Sequence, residues 1–320
     1  MEPIIRKIIS LNEVQSFFYF AIFCAFFSAI LQWLGMPSID HDELEAVRWG
    51  AAKSWFVDKH PPLVGFISFW WAEFTQYSNL AFFILSKINA IIALFVIFKL
   101  NRYFLSPNLS LVATAAYAST YTYITLMSQM DANGILHILW PLFALFLWKS
   151  ISKSRSRDWI ILGLISALTI LGKYQSALLL ITALLMILSI NTFRKHILSV
   201  NFALALIVFV LFLTPHLLAF FETNYSMIDR VLSRTVGEKY FNGRLSIITF
   251  IITQMLTSLF GFYILLWSVR KHVTITLLKF KDEKALFLIF IGLILPIAPI
   301  LFSLVSGMSI LGSWGLTSWF

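Results

Sequence analysis

The chain has 320 residues, of which 59% are hydrophobic, 17% aromatic and 12% charged, with a formal charge of +9. A water-soluble domain of this size carries about 25% charged residues to coat its surface, so a soluble globule is excluded and the bilayer must act as solvent for much of the molecule. The one cysteine, Cys24, excludes an intramolecular disulfide and a cysteine-based metal site.

Apolar stretches of membrane-crossing length place spans near 17–34, 79–98, 108–127, 132–148, 159–172, 174–190, 197–219, 246–268 and 285–305, and a tenth starts near 310 and is still running at Phe320. The expected fold is therefore all-α: a polytopic transmembrane helical bundle of about nine or ten spans, forming one domain over 1–320. The first span follows Arg6 and Lys7 without a small-residue cleavage site, and reads as an anchor and not as a removed signal. Gly172-Lys173-Tyr174 reads either as a tight turn between two short spans or as a break in one long helix.

Basic residues fix the expected orientation. With the N-terminus inside, 15 of the 24 lysines and arginines fall in cytoplasmic segments, whereas 10 of the 15 acids fall outside. The positive charge is mostly a topology signal, and a nucleic-acid partner drops away. Two outer segments are long and polar, 35–78 and 222–245. The inner loops are short, and no Walker-type phosphate loop occurs, so chemistry is expected to face outward.

The first outer loop holds Asp40-His41-Asp42-Glu43-Leu44-Glu45 and then Asp58-Lys59-His60-Pro61-Pro62-Leu63. Asp40 and Glu43 have capping-box spacing, which opens a helix. Leu44, Val47, Ala51 and Trp55 recur on one face of it, with Asp42, Glu45 and Lys53 elsewhere, as in an amphipathic helix on the outer membrane boundary. Pro61-Pro62 ends that unit and admits a second short helix through Phe66, Trp70 and Trp71. Asp42 or Glu43 is a candidate general base at the membrane surface, with Lys59 and His60 as phosphate partners; the plain alternative is that these charges solvate a loop and cap a helix.

Asp131 stands between two apolar runs, where a carboxylate is costly without compensation, and is either functional or the N-cap of the fourth span. Lys173 lies at the same boundary, where lysines also snorkel to headgroups. Lys87 falls inside a span and must find a carboxylate, a carbonyl or water. His137 and His216 read as packing or interfacial residues. No spacing argues for a catalytic metal; His41 among its neighbouring acids is the nearest approach to a ligand set.

Asp42-Glu43 after the first span, Lys59-His60-Pro61-Pro62-Leu63, and Lys87 together resemble the GT-C glycosyltransferases of the protein O-mannosyltransferase and aminoarabinose-transferase type. Met130-Asp131-Ala132 is similar to their second acidic element, with Asn133 in place of its proline, and Gly163 through Gly172-Lys173-Tyr174 to their glycine- and leucine-rich span. Thr214-Pro215-His216-Leu217, Asn224 and the Arg230/Arg234 loop are similar to bacterial members that modify lipopolysaccharide. Members of the family are usually longer, so the C-terminal part of the architecture is expected to be missing here.

The resemblance implies transfer of a hexose or pentose from a polyprenyl-phosphate-linked donor to lipid A, lipopolysaccharide or another glycan. The reaction would run with inversion on the periplasmic face of a bacterial inner membrane. It implies Asp42, Glu43 and Asp131 as catalytic carboxylates, and Lys59, His60, Lys87, Lys173, Arg230 and Arg234 as partners of the donor phosphate, with Arg244 a further candidate. Because phosphate is already a competent leaving group, no metal or other cofactor is strictly demanded. The competing readings are a transporter or flippase of lipid-linked sugar, and an inactive fragment; the lack of an internal repeat and the gathering of polar residues at the outer boundary favour the enzyme.

Overall fold

The computed structural model describes residues 12–57, 59–222, 243–270 and 282–320. Among these the protein is all-α, with no strand. Helix α1 (Glu13–Gly35) opens with a capping box between Asn12 and Gln15. The first outer loop folds into two helices, α2 (His41–Ala51) and α3 (Leu63–Phe74), as the two-helix expectation requires. Then come α4 (Asn79–Asn101), α5 (Pro107–Ala118), α6 (Tyr121–Leu126), α7 (Leu136–Lys153), α8 (Ser156–Gly172), α9 (Ser176–Ser189) and the single turn α10 (Asn191–Arg194). Helices α11 (Val200–Glu222), α12 (Gly243–Val269), α13 (Glu283–Ile289) and α14 (Leu295–Ser306) follow, the last two joined by a π-helical turn at Phe290–Ile294.

Helix occupies all nine of the expected full spans, yet only five helical stretches among the described residues are long and apolar enough to cross a bilayer by themselves. The third expected span is divided. The Thr120 hydroxyl accepts from the Tyr123 N–H at 3.1 Å and starts α6 afresh, so the polar pair Ser119-Thr120 acts as a break that apolar periodicity does not reveal. Residues 159–190 form two helices, parted where Lys173 takes an extended conformation. The expected tenth span is not formed. After Gly307 the chain makes two 3-10 turns, Gly312–Trp314 and Leu316–Ser318, and lies along α12, with Gln254 donating to the Gly312 carbonyl and accepting from the Trp319 indole. Gly312 and Gly315 sit close against Thr253 and Gln254, and this contact, not helix propensity, shapes the segment. The second outer loop, apart from its ends, lies outside the described residues.

Among the long apolar helices α4 is the most enclosed: 56% of its apolar window is buried, against 11% for α1 and 17% for α11, whose remaining surface is apolar and faces outward. The core lies where α4, α7 and α8 meet, around Leu136, Trp140, Leu147 and Trp159. In lipid the apolar driving force between helices is weak, so close approach of backbones carries much of the association. Gly163 supplies that on α8, since a Cβ there would stand 2.9 Å from the Ala205 carbonyl carbon of α11. Gly50 does the same between α2 and α3, where a Cβ would strike the Gly65 carbonyl.

That glycine contact decides which face of α2 is buried. The face is Glu43, Ala46 and Gly50, whereas Leu44, Ala51 and Trp55 of the expected apolar stripe stay outside. A stripe left uncovered by protein is available to lipid.

Candidate functional site

The charged side chains gather at two opposite ends of the bundle. At one end Lys149 pairs with Asp158 at 3.1 Å, and Lys284 donates 3.0 Å to the Tyr103 carbonyl. At the other end the first-loop helices α2 and α3 meet the turn before α7 and the turn between α8 and α9. Six of the sequence-derived candidates come together there: Asp42, Glu43, Lys59, His60, Asp131 and Lys173.

Glu43 is almost fully buried, and both its oxygens accept backbone N–H groups, from Met130 at 2.7 Å and from Asp40 at 3.3 Å. Burial pushes its carboxyl above the usual carboxylate range, the two N–H groups pull the other way, and the charges of Asp40 and Asp131 add to the rise. Met130 is 87 positions along the chain, so this carboxylate joins α2 to the distant turn. Asp131 is equally buried. It accepts from the Gly134 N–H at 2.6 Å and from the Asn133 N–H and amide at 2.9 Å each, with Gln129 at 3.3 Å. The cap-like part foreseen for Asp131 is therefore present, in the turns ahead of α7.

Asp42 differs from both. Its side chain is half exposed, and the partner within reach is Lys59, at 3.5 Å. Lys59 also pairs with Glu45, whose carboxyl is held below its usual range first by that hydrogen bond. Asp42 and Glu45 are three residues apart, hence on one face of α2, which is how one ammonium reaches both. The Trp49 ring lies beneath, 5.4 Å from the Lys59 ammonium, with the His60 imidazole edge-on to it at the same centroid distance. The sequence reading set Glu45 aside; its i, i+3 relation to Asp42 was the available signal.

Lys173 donates to the side-chain oxygen of Asn133, a neutral partner. Burial pushes its pKa down to about 8, while the charges of Asp131 and Asp42 oppose the shift. Burial thus disfavours the charged form, and among the described residues no carboxylate is in direct contact with this ammonium. Asn133, at the position where the family pattern has proline, has a use here that proline could not supply.

Lys87 lies deeper, inside α4, donating 2.8 Å to Gln32 and to the Met127 carbonyl and 3.4 Å to Ser86. It is enclosed by protein acceptors and does not join the surface group. Arg230 and Arg234 lie outside the described residues, as does the side chain of Arg244. Among the described residues no three His, Cys, Asp or Glu side chains converge closely enough to share a metal ion. His216, which reads from the sequence as a packing or interfacial residue, bridges two segments. Lying on α11, it sits between the Trp55 carbonyl at 2.6 Å and the Tyr174 hydroxyl at 3.0 Å.

Residues 59–218, half of the chain, match the family model described as dolichyl-phosphate-mannose-protein mannosyltransferase. The match takes in Lys59, His60, Lys87, Asp131, Lys173 and His216. No curated protein matches the chain in sequence. Among solved structures, the crystal structure of ArnT from Cupriavidus metallidurans bound to undecaprenyl phosphate matches with a TM-score of 0.69 at 14% identity, over 95% of this chain and 57% of that one. The likeness to ArnT is one of fold, and the chain spans a little over half the length of that protein. With half its length accounted for by the family model and nearly all of it by a fold of that kind, the chain belongs to the dolichyl-phosphate-mannose-protein mannosyltransferase family of the GT-C superfamily.

Proposed function

We propose that this membrane protein transfers a sugar from a polyprenyl-phosphate carrier to a glycan or glycolipid acceptor of the bacterial envelope, such as lipopolysaccharide, at the periplasmic face of the inner membrane. The acceptor hydroxyl attacks the anomeric carbon, the bond from that carbon to the phosphate oxygen breaks, and the configuration inverts. The hydroxyl proton passes to Asp42, and the polyprenyl phosphate leaves as an anion. Asp42 is the base because it alone of the three candidate carboxylates is open. Both oxygens of Glu43 are occupied by N–H groups, and Asp131 is engaged by Asn133 and Gly134.

Lys173 is the principal partner of the leaving phosphate. Its neutral contact with Asn133 leaves its charge uncompensated by a direct ion pair, whereas Lys59 must first give up part of its contact with Glu45 and Asp42. Such donors act best where charge grows in the transition state. His60, close to Trp49 and Lys59, is a further donor to the phosphate, the loop arginines complete the cationic set, and Glu43 and Asp131 hold the geometry. The ArnT structure with undecaprenyl phosphate supports the choice of a long-chain prenyl phosphate as carrier.

The observation that carries this reading is the half-exposed Asp42 carboxylate between two lysine-bearing segments. Its test is Asp42→Asn in membranes supplied with lipid-linked sugar. Transfer is expected to fall by about 10²–10⁴-fold, the range for loss of a general base. Undiminished transfer rejects Asp42 as the base.

A further inference from the structure

His216 lies on α11 directly after Pro215 and is 2% exposed. Its two ring nitrogens face different segments. The partner of Nδ1 is the backbone carbonyl of Trp55, which can only accept, so Nδ1 must carry hydrogen. In the neutral ring Nε2 is then bare and must accept from the Tyr174 hydroxyl. The Phe56 ring stacks nearly parallel to the imidazole, 15° off, at a centroid distance of 6.5 Å. Trp55 lies four positions before Lys59, and Tyr174 directly follows Lys173. One imidazole in a single tautomer therefore joins the segments that carry both lysines.

We propose that His216 is a positioning residue that sets the placement of Lys59 relative to Lys173 around the carrier's phosphate. It touches neither sugar nor phosphate. The proposal rests on the function proposed above, and a contact that only fills space predicts a different order of variants. Phenylalanine keeps the ring and the stack with Phe56 but loses both hydrogen bonds. Asparagine loses the ring, but its amide N–H can stand in for Nδ1–H toward Trp55. Tyr174→Phe removes the second bond alone.

The test measures binding of undecaprenyl phosphate by the purified full-length protein in lipid nanodiscs. His216→Phe is expected to weaken binding by about tenfold, with His216→Asn and Tyr174→Phe each closer to the parent, since small misplacement of a binding group has effects of this order. Binding by His216→Phe equal to the parent, or His216→Asn weaker than His216→Phe, overturns the proposal. If the parent itself does not bind the carrier, it is the function above that fails. The tautomer gives a reading that needs no ligand and no substituted protein to fold. Histidine labelled with ¹⁵N should show the His216 Nδ1 protonated and Nε2 bare, and the opposite tautomer overturns the positioning role whatever the binding data.

Discussion

The two ends of the bundle handle charge in different ways. At the end that holds Lys149 and Asp158, the pair is direct, and Lys149 and Lys153 also lie over the rings of Phe146 and Tyr103. At the end that holds Glu43 and Asp131, those two buried carboxylates are satisfied by backbone N–H groups and Lys173 has an amide as its partner, beside the part-exposed Lys59, Glu45 and Asp42 cluster. An enclosed direct pair such as Lys149–Asp158 neutralises its own charge. Holding acids with N–H groups and a lysine with an amide keeps charge in place and available, at a cost in desolvation. An end built in the second way suits the proposed chemistry on an anionic carrier.

Substitutions at each end can break this contrast. The largest effect is expected for Asp42→Asn in the transfer assay described above, whereas Asp158→Asn should leave transfer close to that of the parent. Next, Glu43→Ala strips the partner from two N–H groups, one of them the buried amide of Met130, and should lower unfolding stability by about 1–3 kcal/mol in a detergent denaturation experiment. Glu43→Gln, which can still accept from Met130, should recover part of that loss; equal losses for the two variants would mean that the clamp contributes nothing specific.

Lys173 sharpens the contrast through pH. Its folded-state pKa is depressed to about 8, so the charged form weakens as pH rises through that value. Binding of undecaprenyl phosphate should therefore decline above about pH 8, by up to about tenfold per unit, and stay level over the same range in Lys173→Arg, whose guanidinium does not titrate there. The stability sign is opposite. The depressed pKa penalises the fold at pH values below it, and that penalty lifts as pH rises from about 8 toward the ordinary lysine value. The smallest effect is expected for Asp158→Asn on stability, about 0.5–1 kcal/mol, because Lys149 is part-exposed and the carboxylate's place in the first turn of α8 adds only a dipole contribution.

Much of the fold is legible in the sequence because hydropathy and capping are local properties. Asp40 and Glu43 announce the start of α2, and Pro61-Pro62 announces α3. What is not legible is long-range. The Asp40–Glu43 spacing accounts for one Glu43 oxygen, while the other reaches Met130, a partner that no local pattern names. Leu44, Val47, Ala51 and Trp55 form an apolar stripe by composition, yet burial follows the glycine contact between α2 and α3 instead. The segment after Gly307 is apolar enough to suggest a span, but its conformation is dictated by Gln254 of α12. Lys59, Asp131 and Lys173 could be singled out from charge at an apolar boundary; their grouping needed the fold.

Helix α1 shows what a single amide can decide in an apolar setting. Phe20, Phe23, Phe27, Leu31 and Leu34 face outward, and its contact seam runs from Phe17, Phe18 and Ala21 through the buried Ala25 and Ala29 to Gln32, which accepts from the Lys87 ammonium and donates to the Ser128 carbonyl. The small Ala25 and Ala29 set how closely the helix approaches its neighbours, and Gln32 adds a polar constraint to that seam. Turning α1 by one residue would swing Gln32 toward lipid and strip a neutral acceptor from an enclosed cation, a loss that apolar contacts cannot make good. Gln32 and Lys87 thus work as key and keyway, adding a polar lock to the azimuth that the alanine seam already favours.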